Sequence, residues 1–252
     1  MLASNHRQEG DKLYAELLER VRLGGHRVED IEEINATWDL HTDAQRLHMP
    51  QLRALRDSVE SYNSEQLELL DGEAKVCEGK DDCLTDVTRE EAAEAATKLN
   101  RSAPRQLLLK CRAPVIATRR LSPIIPTGTV GLIVALPSSD SVVCSFKGKI
   151  VTVTRVDWET YNIQGKVTGR RQQLPLLLAW AVTIHRAQGS ELERVCIDFS
   201  RDNWACDGLV YTALSRVRTL ESLCVRGLSM LHIKTNAACL NFWRAVAQGT
   251  DV

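Results

Sequence analysis

The sequence predicts an α/β fold, with a parallel sheet interrupted by a small β-barrel of the SH3-like kind. In the last third, buried-strand patterns such as residues 195–199 alternate with helical patterns such as residues 207–218, which is typical of a parallel sheet. Between residues 127 and 171, short β-patterned runs joined by tight turns favour a barrel. An apolar content of 44% over 252 residues is sufficient for a real core.

The first hundred residues are mainly helical by the spacing of their apolar side chains. Residues 12–23 place Leu13, Leu17, Leu18 and Val21 on one stripe, and two glycines end that helix. The further predictions are a helix at 28–38, a strand or helix at 52–70, a polar and acidic loop at 75–88, and an alanine-rich helix at 90–99.

Short β-patterned runs follow, and then the alternating last third. Residues 174–182 are continuously apolar, as expected for one element buried on both sides. The predicted strands are 107–109, 115–117, 129–136, 142–146, 150–156, 195–199 and 222–228, and the last helix is 236–247.

A net charge of −1 conceals a strong separation of charge along the chain. Residues 29–94 contain 19 acidic and 6 basic side chains, so the remainder carries a balance of +12. Residues 127–171 contribute six basic and three acidic side chains to that remainder. This division predicts a basic face for a polyanion, and two separately solvated faces are the alternative.

Composition also excludes several classes of protein. The sequence contains no run of about 18 apolar residues, so no membrane span is predicted. The first ten residues lack the apolar core of a secretory signal. We therefore expect an intracellular protein. The eight cysteines lack zinc-finger spacing, and no metal site is predicted. Reduced thiols are the favoured interpretation, with Cys77, Cys83 and a distant histidine as the alternative metal site.

Arg216 is the first residue whose chemistry suggests a function. It lies three residues after Ala213 and therefore borders the buried stripe of its predicted helix. A guanidinium at such an edge is costly unless an anion meets it. The functional hypothesis is an arginine finger that reaches a γ-phosphate held by another lobe, with Arg7 as a second contact. The alternative is a surface arginine whose charged end extends into water.

A second candidate is the segment Thr183 to Glu191, which contains a hydroxyl, an imidazole, a cation, an amide and a glycine. Thr183 and His185 can bind a phosphodiester backbone without reading base identity. Gln188 and Gly189 could face a nucleotide, because glycine permits close approach of the backbone. His185 as a buried, hydrogen-bonded core histidine is the alternative.

Together these segments resemble the motor motifs of superfamily 1 helicases, most closely the PIF-type DNA helicases, which are relatives of the RecD-like enzymes. Asn5-His6-Arg7-Gln8 resembles the Arg-Gln motif at the end of the first motor lobe. Residues 17–24 resemble the helix that follows it, and residues 174–189 and 211–218 are similar to later motifs. The resemblance runs along nearly the whole chain.

The resemblance implies a RecA-like second helicase lobe with an SH3-like insert. Residues 1–50 would be the end of the first lobe with linker helices, 51–126 and 172–252 the second lobe, and 127–171 the basic insert. The implied site residues are Arg216 (arginine finger) and Arg7 (phosphate sensor); Gln8, Gln188, Gly189 and Glu191 for the nucleotide; and Thr183, His185, Arg186, Lys110, Lys147 and Lys149 for DNA.

One signature of a complete motor is absent from these 252 residues. No segment fits Gly-x-x-x-x-Gly-Lys-[Ser/Thr], the loop that cradles phosphates, and no Asp-Glu pair closes an apolar strand to hold Mg²⁺. The sequence begins almost at the Arg-Gln motif, as though the first lobe were cut away. We therefore expect ATP and Mg²⁺ only in a complete two-lobe helicase, with none bound by this chain alone.

The resemblance further implies 5′→3′ movement and roles in DNA replication, repair, recombination and telomere maintenance. The expected partners are single-stranded DNA and the missing first lobe, with no membrane, and the expected compartment is the nucleus or mitochondrion if the source is eukaryotic. Two alternatives remain open at this point. One is a non-catalytic single-stranded DNA-binding module, and the other is an interaction remnant of a degenerate helicase.

Overall fold

The computed structural model describes residues 8–82, 84–189 and 191–247, without the side chains of residues 243–247. The chain forms two compact units. The first unit combines both ends of the chain, up to Tyr62 and from Trp180 onward, and the second consists of Asn63–Ala179.

The helices begin where the sequence supplies caps. Asp11 accepts a hydrogen bond from the Tyr14 amide at the start of the first helix, and Thr88 forms a reciprocal capping box with Glu91. The α-helices of the described ranges are α1 (Lys12–Arg22), α2 (Val28–Ala36), α3 (Asp43–His48), α4 (Arg56–Leu69), α5 (Arg89–Ser102), α6 (Ile184–Ala187), α7 (Leu209–Leu214) and α8 (Ala237–Ala247).

The strands of the described ranges are short, with two to seven residues each. They are β1 (Gln51–Arg53), β2 (Lys75–Glu78), β3 (Lys80–Asp81), β4 (Gln106–Leu109), β5 (Pro114–Ala117), β6 (Val130–Ala135), β7 (Ser141–Phe146), β8 (Lys149–Thr154), β9 (Val156–Tyr161), β10 (Val167–Gln173), β11 (Leu176–Leu178), β12 (Ala181–Thr183), β13 (Val195–Asp198) and β14 (Leu223–Arg226).

The first unit contains a parallel sheet with strand order β12-β1-β13-β14. Leu52 of the central strand β1 pairs with Val182 on one side and Ile197 on the other, and all three are buried. Helix α1 buries Leu17, Leu18 and Val21 of the predicted apolar stripe. The prediction was wrong for Leu13, which is 75% exposed, and the neighbouring Tyr14 is buried instead. The prediction of a parallel α/β sheet is confirmed.

The strands of the second unit pair in antiparallel fashion, and the unit also contains α5. Its largest sheet has the order β11-β5-β6-β7-β8, and smaller sheets join β3-β10-β9 and β2-β4. Strands β5 and β11, which lie outside the predicted 127–171 insert, share a sheet with β6, β7 and β8. The β-rich unit is therefore larger than that insert.

Several predicted elements were wrong. The expected loop at 75–88 contains β2 and β3, whose acidic side chains lie at the surface while Cys77 is fully buried. Residues 174–182 are not one element, because β11 and β12 belong to different sheets and different units. Strands β9 and β10 were largely missed, since Thr, Arg and Gln interrupt their apolar pattern.

The remaining exclusions concern membranes and metals. In the described part of the chain, no helix has the length and apolar character needed to cross a bilayer. Cys83 of the alternative metal pair lies outside the described residues. Burial raises the pKa of the Cys77 thiol, with partial opposition from Arg155 and Lys75.

A buried arginine organises the second unit. The Arg171 side chain is 2% exposed, and its Nε and Nη2 donate to the two carboxylate oxygens of Asp81. Its Nη1 donates to Asn100 Oδ1 at 2.6 Å and to the Ala103 carbonyl at 2.8 Å. Arg171 thereby joins β10 to β3 and to the end of α5, and it satisfies a buried charge with four acceptors.

We predict that Arg171→Met lowers the free energy of unfolding by about 2 kcal/mol, because it leaves the buried Ala103 carbonyl without this donor and removes the pair with Asp81, whose side chain is 42% exposed. Urea denaturation measures this loss. Arg170→Met is the matched control, since the neighbouring Arg170 pairs with Glu159 at the surface with 40% of its side chain exposed. That control should cost under about 1 kcal/mol. Equal losses for the two variants would show that Arg171 does not organise the unit.

Candidate functional site

The candidate site of the first unit begins where β12 ends. Thr183 is the last residue of β12 and the N-cap of α6, and its side chain accepts a hydrogen bond from the Arg186 amide at 3.4 Å. Carboxyl ends of parallel strands commonly form ligand sites. At this edge of the sheet, the chain passes from β12 directly into the four-residue helix α6.

Helix α6 presents two of the predicted DNA-binding side chains differently. His185 is exposed, which excludes the alternative of a buried core histidine. Arg186 is half-buried, and burial, with nearby Arg56, lowers the pKa of its guanidinium. Glu60 opposes that shift.

The residues after α6 form an open turn. Gln188 and Gly189 are both exposed, and Gly189 adopts a φ of +84°, in the region that favours glycine. An added Cβ at Gly189 would meet no atom within 4 Å, so backbone conformation and not crowding requires glycine here. Ser190 lies outside the described residues. Glu191 pairs with Arg218 at 2.7 Å.

Arg216 lies two residues beyond the end of α7, whereas the sequence predicted it within that helix. Helix α7 ends at Leu214, so Arg216 follows the helix rather than bordering its stripe, and it is 7% exposed. Its Nε donates to the Thr212 carbonyl at 2.7 Å, and its Nη2 donates to Ser215 Oγ at 2.8 Å. These acceptors satisfy a buried cation at a helix C-terminus, where carbonyl groups lack helical partners.

A third contact joins Arg216 to the segment beginning at Thr183. Its Nη1 donates to the carbonyl of Ala187, the last residue of α6, at 3.3 Å. The amide of Leu192 donates to the Arg216 carbonyl at 3.0 Å, which fixes the same two segments a second time. Two segments that the sequence singled out independently are therefore in direct contact.

The chain's N-terminal segment packs against the main chain on both sides of Arg216. Gln8, which is 2% exposed, donates from Nε2 to the Val217 carbonyl at 2.8 Å. Arg7, the predicted phosphate sensor, lies outside the described residues. The sequence reasoning missed two further contacts here: Tyr14 donates from its hydroxyl to the Leu214 carbonyl at 2.6 Å, and Asp11 Oδ2 accepts from the Leu220 amide at 3.1 Å.

Asp11 and Tyr14 differ in how far sequence could have revealed them. Asp11 stands at a helix start, which is a recognisable cap signal. Tyr14 was not among the residues of the predicted apolar stripe, and no local pattern marks its hydroxyl because the partner lies 200 positions away in sequence. Burial raises the pKa of the Tyr14 hydroxyl, Asp11 adds to that shift, and Arg216 opposes it.

A carboxylate at the end of β13 was also missed. Asp198 accepts from Arg226 Nη2 at 2.6 Å, from Arg201 Nε at 2.9 Å and from Ser200. Burial alone would raise the pKa of Asp198, but the hydrogen bonds from Arg226 and Ser200 prevail and lower it to about 2. This edge of the sheet therefore holds a carboxylate that is ionised at neutral pH and bonded to two arginines.

The second unit contains the other predicted DNA-binding residues. Lys110 donates from Nζ to the Leu70 carbonyl at 2.7 Å and is half-buried. Lys147 and Lys149 are exposed and flank Gly148 in the turn between β7 and β8, where Lys147 has a φ of +49°. Neither lysine has a side-chain partner within the ranges that the structure describes.

The other basic residues of 127–171 are engaged elsewhere. Arg155 bonds to Asp140, Arg170 to Glu159, Arg171 to Asp81, and Lys166 to the Asp86 carbonyl. Three of the six basic side chains of the predicted insert are thus paired with carboxylates. Lys147 and Lys149 are the cations of this segment that remain available to an external anion, which the count of charges could not reveal.

Comparison with known proteins identifies relatives of this chain by sequence. No family model matches the chain. The chain is 29% identical over 252 residues to the ATP-dependent DNA helicase PIF1 of Mus musculus, covering 96% of this chain and 36% of that protein. It is 31% identical over 253 residues to the ATP-dependent DNA helicase PIF6 of Trypanosoma brucei brucei, covering 95% of this chain and 30% of that protein.

This chain is a relative of the PIF1-type DNA helicases. The resemblance noted in the sequence is confirmed, and the chain spans about a third of the length of the curated relatives it matches.

Solved structures of PIF1-type helicases share the fold. The Pif1 helicase of Candida albicans superposes with a TM-score of 0.79 at 22% identity, over 96% of this chain and 60% of that chain. Bacteroides Pif1 bound to single-stranded DNA gives a TM-score of 0.69 at 21% identity, over 98% of this chain and 56% of that chain.

Proposed function

We propose that the chain supplies the second, RecA-like motor lobe of an ATP-dependent 5′→3′ DNA helicase, with an SH3-like insert inside its antiparallel unit. Relatives named as PIF1-type helicases and the parallel sheet of the first unit support this assignment. In such a motor, ATP and Mg²⁺ bind between two lobes. The 252 residues contain no Walker A or Walker B motif, so this chain would hydrolyse ATP only with a first lobe.

The observation that carries the proposal is the hydrogen bond from Arg216 Nη1 to the Ala187 carbonyl. Helix α6 is only four residues long, with Thr183 capping one end and Ala187 at the other. On this helix His185 faces solvent. Groups suited to a DNA backbone and the cation suited to a phosphate therefore belong to one short connected element.

Arg216 would act as the arginine finger. Its carbonyl and hydroxyl acceptors replace the water that the buried guanidinium loses and fix its orientation, which is the pre-organisation that stabilises charge during phosphoryl transfer. Arg7 and Gln8 would contact the nucleotide from the N-terminal segment. Gln188, Gly189 and Glu191 would line its edge.

Single-stranded DNA would contact Thr183, His185 and Arg186 in the first unit. In the second unit it would contact Lys147 and Lys149, whose ammonium groups are exposed. Lys110, held by the Leu70 carbonyl, would contribute a fixed charge. Participation in replication, repair, recombination and telomere maintenance follows as part of the same proposal.

The DNA-binding part predicts a salt dependence that can be measured with this chain alone. Binding to an oligothymidylate should weaken as salt rises, because each neutralised phosphate releases counterions with a slope of about −0.7 per contact. Replacing both Lys147 and Lys149 with glutamine should reduce that slope by about 1.4, as expected for two lost contacts. Fluorescence anisotropy at several salt concentrations measures the slopes.

The matched control removes the same charge from compensated positions. Lys98→Gln combined with Arg170→Gln takes away two cations that are bonded to Glu94 and Glu159. This control should leave the slope unchanged. An equal loss of slope in both double variants would mean that net charge alone governs binding, and absence of any binding at low salt would contradict the DNA-binding proposal.

The motor part predicts ATP hydrolysis once a first lobe is supplied. Fusing the first lobe of a PIF1-type helicase ahead of this chain should give DNA-stimulated ATPase, whereas the chain alone should give none. In the fusion, Arg216→Lys should lower kcat at least about a hundredfold, because a lysine lacks the planar fork that bridges phosphate oxygens. Steady-state ATPase assays measure both effects.

Arg22→Lys is the matched control in that fusion, since Arg22 is an arginine of the same unit that pairs with Glu19 at the surface. It should keep full turnover. An Arg216→Lys fusion that hydrolyses ATP as fast as its parent would reject Arg216 as the finger, and ATPase from the unfused chain would reject the need for a first lobe.

A further inference from the structure

The main chain around Arg216 is held by side chains from the opposite end of the sequence. Tyr14 bonds to the carbonyl two residues before Arg216, and Gln8 bonds to the carbonyl one residue after it. Asp11 accepts from the amide of Leu220, four residues after it. The arginine is thus bracketed on both sides by three side chains from one seven-residue segment.

Each of these bonds answers a local requirement of the chain. Helix α7 has six residues, so its last carbonyls lack helical donors, and Tyr14 supplies a donor to the Leu214 carbonyl. Asp11 is shared, because one carboxylate oxygen caps α1 while the other holds the Leu220 amide. Tyr14 is 1% exposed, so its hydroxyl has no water to replace that bond.

We infer that Tyr14 is a positioning residue for Arg216: its hydroxyl, with the side chains of Gln8 and Asp11, fixes the main chain from which the guanidinium projects. The inference rests on the proposed role of Arg216 as a finger and adds a residue that acts on it indirectly.

The inference makes the side chain of Arg216 itself the reporter. Its Nε–H group donates to the Thr212 carbonyl at 2.7 Å, so the Hε proton should be protected from exchange with water. The ¹H–¹⁵N resonance of this group in the full 252-residue chain is assigned by its loss in Arg216→Lys. The measurement requires neither ATP nor DNA.

Tyr14→Phe keeps the buried ring and removes only the hydroxyl. The Arg216 Hε exchange rate should then rise about fivefold to tenfold, because the Leu214 carbonyl loses its donor and the turn that holds Arg216 loosens. The Nε–H group of Arg20, which donates to Asp30 in the same unit at 3.0 Å, should keep its exchange rate. Tyr161→Phe, which removes a hydroxyl bond to Glu159 in the second unit, is the matched control and should change neither rate.

Two results would overturn the inference. An unchanged Arg216 exchange rate in Tyr14→Phe would show that the hydroxyl does not position the guanidinium. An equal rise for Arg216 and Arg20 would show that Tyr14 only supports the first unit as a whole. Selective loss of Arg216 protection, together with an Arg216→Lys fusion that retains full ATPase, would support the clamp on Arg216 while rejecting the proposed function.

Discussion

The structure of the first unit depends on the hydrogen-bond acceptors that surround one buried guanidinium. Arg216 follows a six-residue helix whose end exposes unbonded carbonyls, and it uses one of them, a neighbouring hydroxyl and the Ala187 carbonyl of a second short helix. Burying the guanidinium of an arginine that is 7% exposed is costly unless hydrogen-bond acceptors replace the water it loses. The requirement to satisfy one cation therefore connects the end of α7 to the end of α6, and with it the two segments on which the proposed function rests.

The second unit also contains a buried guanidinium, and there the arginines join elements of the fold. Arg171 is buried against Asp81, Asn100 and Ala103, and Arg155 and Arg170 are engaged by carboxylates at the surface. Charges that a count assigns to a basic face are in fact used to join strands. What remains for an external polyanion is the turn at Lys147 and Lys149, where both lysines are exposed and Lys147 has a left-handed backbone.

How much of the structure the sequence could predict depends on how far apart in sequence the interacting residues lie. The parallel sheet and most of the stripe of α1 depend on local periodicity, and the sequence revealed them, although Leu13 of that stripe is exposed. The bond from Tyr14 to Leu214 spans 200 positions and that from Gln8 to Val217 spans 209, so no local pattern encodes them. Strand β10 was missed because Arg171 and Gln173, both buried, look polar in a sequence but have hydrogen-bond partners in the fold.

The central claim is that the DNA-contacting end of α6 and the guanidinium of Arg216 belong to one element. A titration of the full chain with oligothymidylate, followed through the Arg216 Nε–H resonance, tests it most directly. The account predicts that this resonance shifts with the same midpoint as DNA binding, while that of Arg171 in the other unit stays in place. An Arg216 resonance that does not move when DNA is saturating would contradict the account.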